Sequence, residues 1–242
     1  MPFVATPIQI VRVIFKITEH LNFEAEARYI AIHLYDKFMC NYFWNLYKTE
    51  VKPNETENSW SRVCKKVSDQ SKLYLMSCLQ LASKIESHSQ SLTISDVLNV
   101  LEWFDKETQY TADTIFLSEC KVFKTVGYKM PLYTPFHCIE ILIAAIRLRG
   151  TPKIYEVSLC LLDSVYLQRE EFYTRFKYMV RGHISNSELE ERKDMALEAN
   201  VLYLAAAVIL SASFILHLGD ELTEEVSLKL SKLVDVSRSD IW

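Results

Sequence analysis

Apolar residues recur along the chain with the three- and four-residue spacing of amphipathic α-helices, and no strand pattern of any length competes with it. The pattern predicts five helices in each half of the chain. Those of the first half cover residues 6–20, 24–47, 60–85, 93–103 and 110–126, and those of the second half cover 134–148, 152–167, 169–181, 194–217 and 222–234. The fold class expected from this pattern is all-α.

Two of the predicted helices are apolar around their whole circumference, over residues 73–85 and 201–216. A helix without a polar side is buried among other helices, so each segment is predicted to be the hub, or central helix, of a bundle. The second segment also approaches the length of a membrane span. Its three consecutive alanines, its two serines and the few aromatic residues near its ends favour a buried helix over a membrane anchor.

Residues at the predicted helix ends are suitable capping residues. Thr93 and Thr111 can cap the starts of the fourth and fifth helices, and Gly127 suits the left-handed position that follows a helix. A short extended linker follows Gly127. We therefore predict an N-terminal domain over residues 1–128 and a C-terminal domain over residues 129–242.

Two local patterns carry further predictions. In the fifth helix, Phe116, Cys120 and Phe123 recur at positions i, i+4 and i+7, which predicts a stripe facing the core. Residues 48–59 are polar and contain a proline, and they are predicted to form a loop between the second and third helices.

Composition limits the class of protein. Half of the 242 residues are apolar and only four are glycines, which favours long helices with few tight turns. The net charge of −4 gives no reason to expect direct binding to nucleic acid. The six cysteines are widely spaced and never form a C-x-x-C pair, which favours a reduced intracellular protein.

The sequence contains no pattern typical of a catalytic, metal or cofactor site. The six histidines lie far apart, without H-E-x-x-H or a Cys/His cluster. Glycine-rich phosphate loops and the G-x-S-x-G motif are also absent. We therefore expect a non-catalytic protein that binds no metal and no cofactor. An all-helical enzyme would need a pocket that holds several ionisable groups.

Three segments resemble the cyclin box, the helical module of the cyclin family. Residues 73–86, LYLMSCLQLASKIE, are similar to its third helix, where Leu73 and the string Leu81-Ala82-Ser83-Lys84 match. Tyr35-Asp36-Lys37-Phe38 loosely matches a signature in the second helix. Leu117-Ser118-Glu119-Cys120 is similar to part of the fifth helix.

The resemblance implies both a fold and a binding surface. The fold would be two cyclin-like bundles of five helices around a hub helix, the second of them degenerate. In the cyclin family the residues that match Lys84 and Glu119 approach each other and grip the regulatory helix of a cyclin-dependent kinase. The kinase-binding residues implied in this way are Lys84, Ile85, Glu119, Tyr128 and Met130. Structural roles within the box are implied for Asp36, Leu73, Leu81 and Ala82.

The chain departs from the family at the start of the first helix. Many cyclins carry there an M-R-A-I-L motif and a tryptophan that dock substrates, but residues 6–10 and Val13 do not match them. The arginine that would pair with Asp36 is also missing, and Arg12 lies about 140° around the helix from its position. Substrate docking by this patch is not expected, which favours a scaffold that works without a kinase.

Within the cyclin family, residues 57–235 are most similar to the cyclin N-terminal domain-containing proteins of meiosis, in strings such as 132–135, 160–167 and 208–215. This resemblance implies a non-catalytic nuclear protein on meiotic chromosomes at recombination sites, which promotes crossover designation and maturation. Its implied partners are a cyclin-dependent kinase, the meiotic MutS-type heterodimer and a RING-type ligase. No association with a membrane is expected. The alternatives are a kinase-independent cyclin-fold scaffold that recruits recombination factors, and a transcription-type cyclin.

Overall fold

In each unit, helices with one apolar face surround a helical segment that is apolar on all sides. The computed structural model describes residues 6–50, 56–86, 91–106, 108–131, 133–181 and 200–235, and within these ranges it contains ten α-helices and no strand. In chain order they are α1 (Ile8–His20), α2 (Ala25–Glu50), α3 (Thr56–Glu86), α4 (Ile94–Phe104), α5 (Ala112–Thr125), α6 (Pro135–Ala145), α7 (Ile154–Leu167), α8 (Arg169–Arg181), α9 (Val201–Ile215) and α10 (Asp220–Val234). The all-α prediction is confirmed.

The chain divides into two compact units, Phe3–Leu132 and Tyr133–Trp242. In the first unit, α3 packs against α2, α4 and α5. Its side chains from residue 73 to residue 80 are all buried, as are Ala82 and Ser83. Burial on every side of α3 confirms that this segment is the hub of the first unit.

The second unit has the same plan around α9, which packs against α6, α7 and α10. Asn200 fixes its start, because the side-chain oxygen accepts hydrogen bonds from the backbone N–H groups of Leu202 and Tyr203 at 3.1 and 3.0 Å. The predicted start at residue 194 lies outside the described residues, and a helix running through residue 200 is wrong. No helix in the described ranges is long and apolar enough to cross a membrane.

The residues predicted to cap α4 and α5 do so in the structure. Thr93 and Asp96 form a reciprocal capping box at the start of α4, and the Thr111 side chain accepts a hydrogen bond from the Thr114 N–H at 3.2 Å. Gly127 takes the predicted left-handed conformation after α5, with φ of 69°.

The predicted core stripe of α5 is wrong. Phe116 is 54% exposed and Phe123 is 36% exposed, and Cys120 is partly exposed. The buried side of α5 instead contains Ile115, Ser118, Glu119 and Val122. Both sets have helical spacing, and α3 supplies polar partners for the second set, so the side with fewer apolar residues is the buried one.

The predicted loop over residues 48–59 is shorter in the structure, because α2 continues to Glu50 and α3 begins at Thr56. Aromatic side chains from both helices pack together on either side of the predicted loop. The ring centre of Trp60 lies 5.6 Å from that of Phe43 and 6.3 Å from that of Tyr47. These contacts favour the helical conformation at the end of α2 and at the start of α3. Residues 51–55 lie outside the described residues.

Candidate functional site

Polar side chains join α5 to the hub helix α3 at two points. The hydroxyl groups of Ser77 and Ser118 share a buried hydrogen bond of 2.7 Å. The Lys121 ammonium donates to the Tyr74 hydroxyl at 2.5 Å and lies 4.5 Å from the centre of the Tyr42 ring. Buried polar groups are stabilised only when they find partners, so these contacts fix the side of α5 that faces α3.

Lys84 and Glu119 form an ion pair at the edge of this interface, as the resemblance predicted for their positions. The Lys84 ammonium donates to the Oε1 atom of Glu119. The Lys84 side chain is 44% exposed, whereas the Glu119 side chain is only 11% exposed. A nearly buried carboxylate needs a partner, and here the ammonium supplies it while remaining accessible from outside.

Exposed aromatic side chains border the ion pair. On an α-helix, Phe116 and Phe123 lie about 60° and 40° from Glu119 around the axis, toward the solvent side. The Phe123 ring also packs edge-on against Tyr128, with ring centres 5.1 Å apart. Tyr128 itself is 61% exposed. Large apolar groups that remain exposed beside a charge pair are typical of a binding surface.

We call this surface the α3–α5 face and define it by Lys84, Phe116, Glu119, Phe123 and Tyr128. The sequence analysis missed Phe116 and Phe123 because it assigned both to the core. The predicted site residues Ile85 and Met130 are partly buried and adjoin the face in sequence, at the end of α3 and after Tyr128. The signal that could have identified the two phenylalanines is the position of Glu119, which belongs to the buried side if Lys84 is its partner.

Side chains of α2 hold the end of α5 and the segment that follows it. The Asn41 amide donates to the carbonyl of Thr125 at 3.1 Å, and the Lys37 ammonium donates to the carbonyl of Lys129 at 2.7 Å. Burial lowers the pKa of Lys37, and the nearby charge of Lys129 lowers it further. These bonds position Tyr128, which lies between the two carbonyl groups in sequence.

Tyr128 has an unfavourable backbone conformation. Its φ of 60° follows the φ of 69° at Gly127, so two consecutive residues are left-handed. For a residue with a side chain this conformation costs about 1–2 kcal/mol. The Tyr128 N–H donates to the carbonyl of Phe123 at 3.0 Å, which partly offsets that cost and closes the turn that brings the two rings together.

The residues with implied structural roles are mainly core residues. Leu73 and Ala82 are buried, and Leu81 is partly buried. Asp36 is buried and has a partner despite the missing arginine. Its Oδ1 atom accepts hydrogen bonds from the backbone N–H and the hydroxyl of Thr6 at 3.0 and 3.1 Å. The interpretation that the missing arginine leaves Asp36 unpaired is therefore wrong. Thr6, which lies 30 residues earlier in the chain, supplies the hydrogen bonds instead.

The described residues include no group of histidine, cysteine or acidic side chains that could hold a metal ion. All six cysteines are free thiols, of which Cys78 and Cys138 are buried. Burial raises the pKa of the Cys40 thiol, and the charge of Asp36 raises it further.

Comparisons with known proteins give a consistent result. Residues 8–131 match the family model described as "Cyclin, N-terminal domain". The chain is 26% identical over 218 residues to human and mouse "Cyclin N-terminal domain-containing protein 1". Each alignment covers 86% of this chain and 64% of the relative, so the chain spans somewhat less than two thirds of these relatives. No solved structure matches.

Proposed function

The chain belongs to the cyclin family, and from this premise we propose that its α3–α5 face docks the regulatory helix of a cyclin-dependent kinase. Cyclin-domain proteins are in general regulatory and non-catalytic, with a kinase as the general class of partner. The single observation that best supports the proposal is the Lys84–Glu119 ion pair, in which the carboxylate is nearly buried and the ammonium is accessible.

Docking would act on a kinase element that has two positions. A protein kinase is active when its αC helix lies close enough for a glutamate to pair with the ATP-binding lysine. A partner that binds one position of this helix more tightly shifts the kinase toward it. The α3–α5 face offers Lys84 to polar groups of such a helix and the rings of Phe123 and Tyr128 to its apolar side chains.

The charge pair contributes mainly specificity. When docking removes water from a hydrogen-bonded charge pair, truncating one partner typically costs about 2–5 kcal/mol of binding free energy. The surrounding aromatic rings provide the apolar area that such a contact needs at its centre.

We further propose that this regulatory role belongs to meiotic recombination. The support is the resemblance of residues 57–235 to the cyclin N-terminal domain-containing proteins of meiosis, together with the 26% identity to two proteins of that name. The proposed site of action is the nucleus, on meiotic chromosomes, where the protein would promote crossover designation and maturation. The proposed further partners are the meiotic MutS-type heterodimer and a RING-type ligase.

The second candidate is a cyclin-fold scaffold that recruits recombination factors without a kinase. The observation that favours it is the start of α1, where residues 6–10 lack the substrate-docking motif. Asp36 no longer supports this candidate, because Thr6 satisfies its carboxylate.

Co-purification with a panel of cyclin-dependent kinases tests the proposal. The decisive variant is Lys84→Glu with Glu119→Lys, which is chosen to retain an ion pair of reversed polarity and so to preserve the fold. The matched control is Lys229→Glu with Glu225→Lys on α10, where the wild-type pair joins exposed side chains at 2.6 Å.

We expect a kinase to co-purify with the wild type and the control, and to be lost with the Lys84/Glu119 swap. If no kinase binds any of the three proteins, the docking proposal fails and the scaffold remains. If a kinase binds all three equally, the α3–α5 face is not its docking site.

A further inference from the structure

A cleft of about 550 Å³ lies between α2 and the end of α5 in the first unit. Its lining consists of Asn41, Trp44, Asn45 and Lys48 from α2 and Thr125 from α5. The α2 residues recur at i, i+3, i+4 and i+7, so they share one side of the helix. Trp44 is 44% exposed at this position. A partly exposed indole beside two amide groups offers a ligand both stacking area and hydrogen-bonding groups.

Lysine side chains border this cleft. Lys37 lies one turn before the lining residues of α2, and Lys48 is one of them. Lys124 and Lys129 are exposed at the end of α5 and in the segment after it. Burial lowers the pKa of Lys37 and the charge of Lys129 lowers it further, which means that these two cations lie close enough to repel each other. An anion bound beside the lysines would relieve that repulsion.

Acidic side chains do not offset this charge. The sequence has no Asp or Glu in residues 37–49 or in residues 120–131. Beside these segments, Glu50 and Glu119 already form ion pairs with lysines of α3, and Asp36 is buried and accepts hydrogen bonds. The net charge of −4 was the reason to expect no nucleic acid, but it describes the whole chain and not this cationic surface.

Helix α3 packs against another side of α2. It contacts Tyr42 and Phe43, which lie about 140° and 120° around α2 from Lys37. The exposed Asp69 of α3 is accordingly not part of the cleft lining.

Trp44 and its cationic neighbours Lys37, Lys48, Lys124 and Lys129 form what we call the lysine surface. We infer that the lysine surface binds single-stranded nucleic acid, with phosphates at the lysines and a base stacked on Trp44. Proteins that bind single strands combine a cationic track with aromatic stacking groups, and this surface has both. An acidic peptide would also pair with the lysines, but it would leave the indole and the two amides of the cleft without groups that match them.

This inference goes beyond the proposed kinase docking and does not depend on it. The lysine surface shares no residue with the α3–α5 face. The protein would hold a nucleic acid strand on one surface and a kinase on the other.

Fluorescence anisotropy with the full chain and a labelled oligothymidylate of about 20 nucleotides tests the role of the lysines. For single strands, the slope of log K against log salt concentration is about −0.7 for each phosphate that the protein neutralises. We expect Lys48→Gln with Lys124→Gln to weaken binding and to make the slope less steep by about 1.4. The matched control is Lys65→Gln with Lys232→Gln, which neutralises two exposed lysines elsewhere and should leave the slope unchanged.

Tryptophan fluorescence tests the role of the indole. When Trp60, Trp103 and Trp242 are replaced by phenylalanine, Trp44 is the only tryptophan of the chain. Oligothymidylate should quench its fluorescence, because a stacked base contacts the ring, whereas polyglutamate should not. Trp44→Ala should weaken binding at least about fivefold. Trp103→Ala, which removes an indole that is 76% exposed on α4, should have no effect.

Two comparisons identify the ligand. An oligouridylate of the same length compares RNA with DNA, and tighter binding of either strand supports the inference and identifies the source of the ligand. The Lys84/Glu119 swap should bind oligothymidylate as the wild type does, so this inference and the docking proposal can fail separately. The inference is overturned if oligothymidylate does not bind, if duplex DNA or polyglutamate binds as tightly, or if the lysine and Trp44 variants bind like the wild type.

Discussion

Replacing Lys84 with methionine removes the ammonium partner of Glu119 and keeps an apolar side chain of similar length. An exposed ion pair contributes about 0–1 kcal/mol to stability, whereas removing one partner of a buried pair costs about 3–5 kcal/mol. The Glu119 side chain is 11% exposed and that of Lys84 is 44% exposed, so this pair lies between the two limits. We expect Lys84→Met to lower the free energy of unfolding by about 1–2 kcal/mol at pH 7.

The opposite truncation should cost less. In Glu119→Gln the Lys84 ammonium can turn toward water, and glutamine places no unpaired charge in the interface. We expect a loss below about 1 kcal/mol. In the double variant neither charge remains, so the two losses should not add, and the double-mutant cycle should give a coupling of about 1 kcal/mol.

The measurement is urea unfolding followed by tryptophan fluorescence. In a Trp242→Phe background, the remaining tryptophans at positions 44, 60 and 103 all belong to the unit Phe3–Leu132, so the signal reports that unit. The control is Lys66→Met, because its partner Glu50 is 22% exposed and should lose less by remaining alone. The reasoning is refuted if Glu119→Gln destabilises the protein more than Lys84→Met, or if the two effects simply add.

Three further predictions concern the same unit. Phe116→Ser should change the urea midpoint little, because the residue is 54% exposed, yet it should weaken kinase co-purification; an equal loss of both would return Phe116 to the core. Tyr128→Gly should be more stable than Tyr128→Ala by about 1 kcal/mol in the same urea assay, since glycine adopts a positive φ without strain, and equal stabilities would contradict the left-handed conformation. Hydrogen bonds from Tyr110 and then Lys72 lower the pKa of Asp105 in the folded state. Stability from Asp105 is therefore present above its unfolded pKa of about 3.9 and is lost as the pH falls through the lower folded value, so Asp105→Asn should make the acid side of a stability–pH curve less steep.

The periodicity of the sequence predicts most of the fold because burial of apolar side chains decides it. Residues 73–80 are buried on every side of α3, as expected for a hub. Thr93 caps the start of α4 and Gly127 follows the end of α5, and both positions depend on local geometry that a few residues determine. The limits of the loop after α2 were not predictable, because contacts such as that between Trp60 and Phe43 join two different helices and favour longer helices on both sides of the loop.

The orientation of α5 shows why the site was harder to predict than the fold. Two stripes of this helix have the same spacing, and the more apolar one, with Phe116 and Phe123, faces solvent. The buried stripe contains Ser118 and Glu119, whose partners lie 41 and 35 residues away on α3. Periodicity within one helix contains no information about such partners, whereas the family resemblance did place Lys84 beside Glu119.

Unfavourable local features are concentrated at one edge of the first unit. A nearly buried ion pair is often no more stabilising than apolar residues of the same shape, and exposed phenylalanines contribute no core. In the described part of this unit only Asn22 and Tyr128 combine a side chain with a left-handed φ, and asparagine adopts that conformation more easily than tyrosine. The capping of α4 and α5 and the burial of α3 over residues 73–80 follow local preference, so stability alone does not explain the α3–α5 face. Sequences whose local preferences agree with their fold depart from those preferences mainly at functional sites. The concentration of such departures at one edge of the unit is the physical reason for proposing a partner at Lys84 and Glu119.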